Sequence, residues 1–211
     1  MAPTVPPIVA DQSMSSLDPL RALPGEPAPR QPGADDWAEV ERYAGSALPG
    51  DFKAFLDAYG TGVISGELVV FHPRGSAPLP DRMARTHQEF AQRRDRAAES
   101  GVPEHYPYAF HPAPGGLISW GYDHSGDEHF FLPCDADPDR WKVVTMVHEV
   151  GCQTFDGSFS AFVLSFVERL ASLDRLHGLG PQDLEFLEPE DLAELVADGE
   201  IGPTPPGFEP C

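Results

Sequence analysis

The densest run of ionisable side chains is Asp123-His124-Ser125-Gly126-Asp127-Glu128-His129, with His148 and Cys152 further on. Carboxylates beside imidazoles are the raw material of acid–base catalysis, and imidazole, carboxylate and thiolate together suit zinc. One expectation is therefore a divalent-metal site of His124, Asp127, His129, His148 and Cys152, serving a metal-dependent hydrolase. Two features oppose it. His124 and Asp127 flank a turn in which Asp, Ser and Gly are wanted for backbone reasons alone, Gly126 being free to take a positive φ. His124 and His129 are also separated by an odd number of residues, which puts them on opposite faces of a regular ribbon.

Other catalytic patterns fail one by one. His148-Glu149 begins like a zinc-protease helix, but Cys152 stands where the second histidine belongs, and the context is the end of a strand. The Gly60, Gly62 and Gly66 spacing is wrong for a dinucleotide loop. Lys53 and Lys142 are the only lysines, so no phosphate-loop lysine follows. There is no Gly-x-Ser-x-Gly elbow. The expectation is a non-enzyme with no catalytic residue, no cofactor and no obligatory metal.

The element that must position the ionisable run is a hairpin from Ile118 to Leu132. Ile118, Trp120 and Tyr122 alternate onto one face, a second apolar run ends in Phe130, Phe131 and Leu132, and Asp123 to Gly126 turn between them. Upstream, Trp37, Val40 and Ala44 share one face of a helix that starts at Asp36 and stops at Gly45. Phe52, Phe55, Leu56 and Tyr59 give a second helix ending at Gly60. Val63-Ile64 and Glu67 to Phe71 read as strands. A third helix, from about Asp81 to Glu99, turns Met83, Phe90 and Ala97 or Ala98 inward, and its five arginines read as a solvated face paired with Glu89, Asp95 and Glu99. Tyr106 to Phe110 reads as a short extended segment and Trp141 to Val147 as a central strand. A short strand or turn around Gln153 to Phe155 follows. Ser158 then caps the clearest helix, with Phe159, Phe162, Val163, Phe166, Val167 and Leu170 inward. The expected class is α+β, a mostly antiparallel sheet of several strands packed with N-terminal and C-terminal helices.

Composition sets the boundaries. Residues 1–34 hold eight prolines and little periodicity, and read as a disordered leader; 35–175 form the domain; 176–211 are an acidic extension. From Ala171 onward there are ten acids and one base, and short helices are expected over Gln182 to Leu187 and Pro189 to Ala197. The chain carries 34 acids against 14 bases, a net charge of −20, which argues against a nucleic-acid binder and favours a basic protein partner. Three cysteines without a close pair, no apolar targeting segment and no membrane-length window lead to a cytoplasmic expectation, with no membrane association.

The order of landmarks carries a resemblance. Trp37 and Glu41 precede Gly45, Leu48, Pro49, Asp51, Phe52, Phe55, Leu56, Tyr59, Gly60 and Gly62. Then come Trp120-Gly121, Asp123, Gly126-Asp127, the Trp141 strand, and Ser158-Phe159 with Phe162. Over about Trp37 to Leu170 this resembles the SUKH superfamily, which includes the Smi/Knr-type proteins. The resemblance implies an α+β fold and a non-catalytic binding module. It points to an immunity protein that neutralises a cognate toxin, nucleases among them, of a bacterial polymorphic toxin system. The alternative it implies is a regulatory scaffold with an endogenous partner. On this reading Trp120, Asp123, Asp127 and Glu128 form an acidic edge of the partner-binding face.

Overall fold

The computed structural model describes residues 36–75, 77–147, 151–176 and 186–187. Helix α1 (Asp36–Ala44) and helix α2 (Gly50–Tyr59) lead into β1 (Gly62–Ile64) and β2 (Leu68–Val70). After the long helix α3 (Leu79–Glu99) come β3 (Ile118–Asp123), β4 (Glu128–Leu132), β5 (Lys142–Val147) and β6 (Gly151–Phe155), then α4 (Phe159–Leu176) and a two-residue β7 (Phe186–Leu187). The strands form one antiparallel sheet in the order β6-β5-β4-β3-β2-β1-β7. The chain is therefore α+β, with the β3–β4 hairpin next to the middle of its sheet.

Helices cover both faces. On one face, α1, α2 and α4 bury Trp37, Phe52, Phe55, Phe159 and Phe162 against Ile118, Trp120, Phe131 and Val143. On the other, Phe90 of α3 joins Phe110, Leu117, Phe130, Val144 and Met146. The apolar spacing read for α1, α2 and α4 is what packs. Five large side chains of α4, from Phe159 to Val167, are buried, worth on the order of 10 kcal/mol before entropy is subtracted. Asp51 ties two of these helices together. Its Oδ2 accepts the Ser160 N–H at 2.8 Å, one of the orphan donors at the start of α4, while Ser158 Oγ accepts from Ala161 N–H at 3.3 Å.

A bulge breaks the hairpin's alternation. Ser119 pairs with Phe130, but the next pair is Gly121 with His129, so Trp120 is an extra residue on β3. Trp120 keeps its side chain toward α2 and α4. Tyr122 then pairs with Glu128 and meets Arg82 of α3, on the opposite face from Trp120. The expected common face of Ile118, Trp120 and Tyr122 is thus corrected at Tyr122. Gly121 makes the bulge possible against β2, because a Cβ there would stand 2.6 Å from the Val69 carbonyl oxygen. Since that atom is backbone in a paired strand, Gly121→Ala is expected to destabilise the fold by about 1–3 kcal/mol in denaturant titration. A change near zero would mean that the two strands are not this close.

Tyr106 to Phe110, read as a short extended segment, runs from a 3-10 turn at Pro103–His105 to a single bridge between Phe110 and Leu117. Two further expectations change. The arginine-rich face of α3 is only partly solvated: Arg93 pairs with Glu89 as expected, but Arg82 turns inward to Glu128. Phe186–Leu187 lies in a strand on β1 rather than in a helix, so the sheet draws on chain beyond the expected boundary at 175. The leader, His148 and the Pro189 to Ala197 segment lie outside the described residues. No helix among those described is long and apolar enough to cross a membrane.

Candidate functional site

The turn from Asp123 to Glu128 uses its ionisable groups internally. Asp123 is only 3% exposed. Its Oδ1 accepts the backbone N–H of Ser125 at 3.0 Å and of Asp127 at 3.1 Å, and its Oδ2 lies 3.5 Å from His129 Nε2. Gly126, at φ +90°, completes the turn. His129 is buried; its Nδ1 meets Thr145 Oγ1 at 3.0 Å and its ring stacks on Trp120 at 5.2 Å. Glu128 pairs with Arg82, whose guanidinium sits 4.7 Å over the Tyr122 ring. Burial pushes the Glu128 carboxyl up to about 7, a rise that Arg82 only partly offsets.

Trp120 is 0% exposed, between Phe131, Phe159 and Phe162. This corrects the expected binding face. Trp120 is core, Asp123 holds the turn, and Glu128 is committed to Arg82; Asp127 is partly exposed. The metal alternative is corrected by topology. His129 faces α4, beside Phe162 and Phe166, whereas Cys152 packs with the core beneath α3, so the two cannot reach one ion. Among the described residues no three His, Cys, Asp or Glu side chains converge as metal ligands.

A different constellation lies at the edge between α1 and α3, and the sequence reading does not contain it. Tyr43 of α1, His87 of α3 and His111 of the loop before β3 bring three rings together, with centroids 4.9 to 5.7 Å apart. They line a cavity of about 400 Å³, within the range of small-ligand sites. His87 is 2% exposed. Its Nε2 accepts the Ser119 backbone N–H at 2.9 Å, which fixes the neutral ring's proton on Nδ1 and makes that atom the donor to Tyr43 Oη at 2.8 Å. Burial, with His111 nearby, pulls the His87 pKa down to about 3. Burial also lowers His111 and raises the Tyr43 phenol. The loop carrying His111 is held by His111 N–H to Leu117 O at 3.0 Å and Leu117 N–H to Ala109 O at 2.8 Å.

Chemically, His87 cannot serve as a base toward Tyr43, since its lone pair is engaged by Ser119. What the pair does is orient a phenol: Tyr43 Oη accepts from His87, and its own hydrogen has no acceptor among the described residues. One local signal was available. His87 falls on the inward stripe of α3 defined by Met83 and Phe90, at a spacing of four and three residues. No family model, no curated protein and no solved structure matches the chain.

Proposed function

We propose that the chain is a non-catalytic binding protein that neutralises a cognate toxin, nucleases being among the kinds the SUKH resemblance implies, by covering a basic surface on it. The observation that carries this reading is the division of the carboxylates. Those of the hairpin, Asp123 and Glu128, are turned inward to the turn and to Arg82, while Asp137, Asp139 and Asp156 on the loops around β5 and β6 are exposed to solvent even though each has one local partner, the Asp139 N–H, the Gly50 N–H and Lys142. In a chain of net charge −20 such a surface steers a basic partner and accelerates its association. The resemblance to the SUKH superfamily supplies the toxin as partner, and a regulatory scaffold remains the alternative from the same resemblance.

The test is co-purification from the native cell, followed by binding to the identified partner at several salt concentrations. Affinity is expected to fall by about tenfold or more between ~50 and ~300 mM salt, carried mainly by the association rate. A salt-independent affinity would remove the acidic surface from the mechanism. A partner that shares no operon with this chain and whose activity survives binding would favour the scaffold.

A further inference from the structure

We infer that the cavity between Tyr43, His87 and His111 is a binding site for a small monocarboxylate with a flat apolar body, such as an aromatic carboxylic acid. On α3, Arg82 pairs with Glu128, Arg93 with Glu89, and Arg96 donates to the Gln92 carbonyl. Arg94 is half-buried on the cavity wall and makes no ion pair among the described residues. In a protein with an excess of carboxylates, a half-buried guanidinium without one is an opening for an anion from outside.

The second donor is the phenol. With Nδ1 of His87 donating to it, the Tyr43 hydroxyl keeps its own hydrogen to donate onward, and a carboxylate oxygen is an acceptor that fits a hydroxyl and a guanidinium together. The rest of the wall sets the body of the ligand. Phe110 and the rings of Tyr43 and His111 offer flat surface to the cavity, which Ala91 also lines. Asp95 also lines the cavity and limits the charge that fits. With Arg94 and Asp95 both on the wall, a bound monocarboxylate leaves one negative charge uncompensated and a dianionic phosphoryl group leaves two, so the smaller charge is favoured. The site is separate from the exposed carboxylates proposed to face a protein partner, and it does not depend on that proposal.

The experiment uses the full chain, labelled with ¹⁵N and titrated with benzoate, benzamide and phenyl phosphate. Benzoate is expected to give saturable shifts confined to residues near 43, 87–95 and 110–113, with a Kd of about 0.1–1 mM. Benzamide and phenyl phosphate should bind at least about fivefold more weakly, the first lacking the charge and the second carrying too much. Arg94→Gln should weaken benzoate by about tenfold, and Tyr43→Phe by about threefold to tenfold. Each variant's folding is checked by its own amide spectrum, and Arg85→Gln, on the same helix but outside the cavity lining, should leave benzoate binding intact. Absence of saturable shifts at the cavity would overturn the inference. So would equal binding of benzamide, tighter binding of phenyl phosphate, or unchanged affinity in a folded Arg94→Gln protein.

Discussion

Trp120→Ala is expected to destabilise the protein by about 3–5 kcal/mol, the range for truncating a large aromatic side chain in a packed core. The indole is 0% exposed and meets Phe159 and Phe162 edge-on while stacking with Phe131 and His129. It is also the extra residue of the β3 bulge, so its removal takes the filling from the place where two helices cross the sheet. One term acts in the other direction: the buried Nε1 has no hydrogen-bond partner among the described residues, so truncation removes an unsatisfied donor along with the ring. That term makes Trp120→Phe the informative companion. It keeps most of the aromatic contact and discards the donor, and should cost only about 1–2 kcal/mol. Both values are read from urea midpoints at unchanged slope. A tryptophan that served as an exposed platform would behave otherwise, with stability changing by less than about 0.5 kcal/mol on truncation. A result of that size would put Trp120 back on the binding face.

The same residue shows where reading from sequence succeeds and where it stops. The spacing of Trp37, Val40 and Ala44, of Phe52, Phe55, Leu56 and Tyr59, and of Phe159 to Val167 is a local property that the structure uses directly. The role of Asp123 was equally local, because an Asx turn is made by the residue and its next few neighbours. The bulge was not legible. Ile118, Trp120 and Tyr122 alternate as well with it as without it, and only the register against β4 reveals that Tyr122 has changed face. Partnerships across long separations were hidden for the same reason. Arg82 finds Glu128 and β7 finds β1 through the topology of the sheet, and no window of sequence contains both members. The Tyr43, His87 and His111 cavity draws on three separate segments. A histidine on the apolar stripe of α3 was its one local trace, and its two polar partners were not.

Acid unfolding offers the most discriminating measurement on that cavity. A histidine held at a pKa of about 3, against an ordinary 6.5, binds fewer protons folded than unfolded throughout that interval. Its contribution to stability is therefore complete above pH 6.5 and is lost as pH falls toward 3, at up to about 1.4 kcal/mol per pH unit. His111, also lowered by burial, acts in the same direction. Glu128 acts in the opposite one. Its carboxyl is raised from 4.5 to about 7, so the folded state holds the proton longer than the unfolded chain does. Its contribution is complete below pH 4.5 and is lost as pH rises through 7. Between pH 4.5 and 6.5 the opposing slopes of His87 and Glu128 largely cancel, and below 4.5 the Glu128 slope has ended while the His87 slope continues. The native protein should accordingly show a nearly flat stability profile in urea from pH 6.5 to 4.5, then a steep decline. Glu128→Gln should uncover a stability that rises with pH across the flat region. His87→Gln, which can still accept from Ser119 and donate to Tyr43, should uncover one that falls with pH there and should soften the decline below 4.5. If the His87→Gln profile runs parallel to the native one, the ring does not titrate between folded and unfolded states as a buried neutral imidazole must, and the orientation of the Tyr43 hydroxyl fails with it.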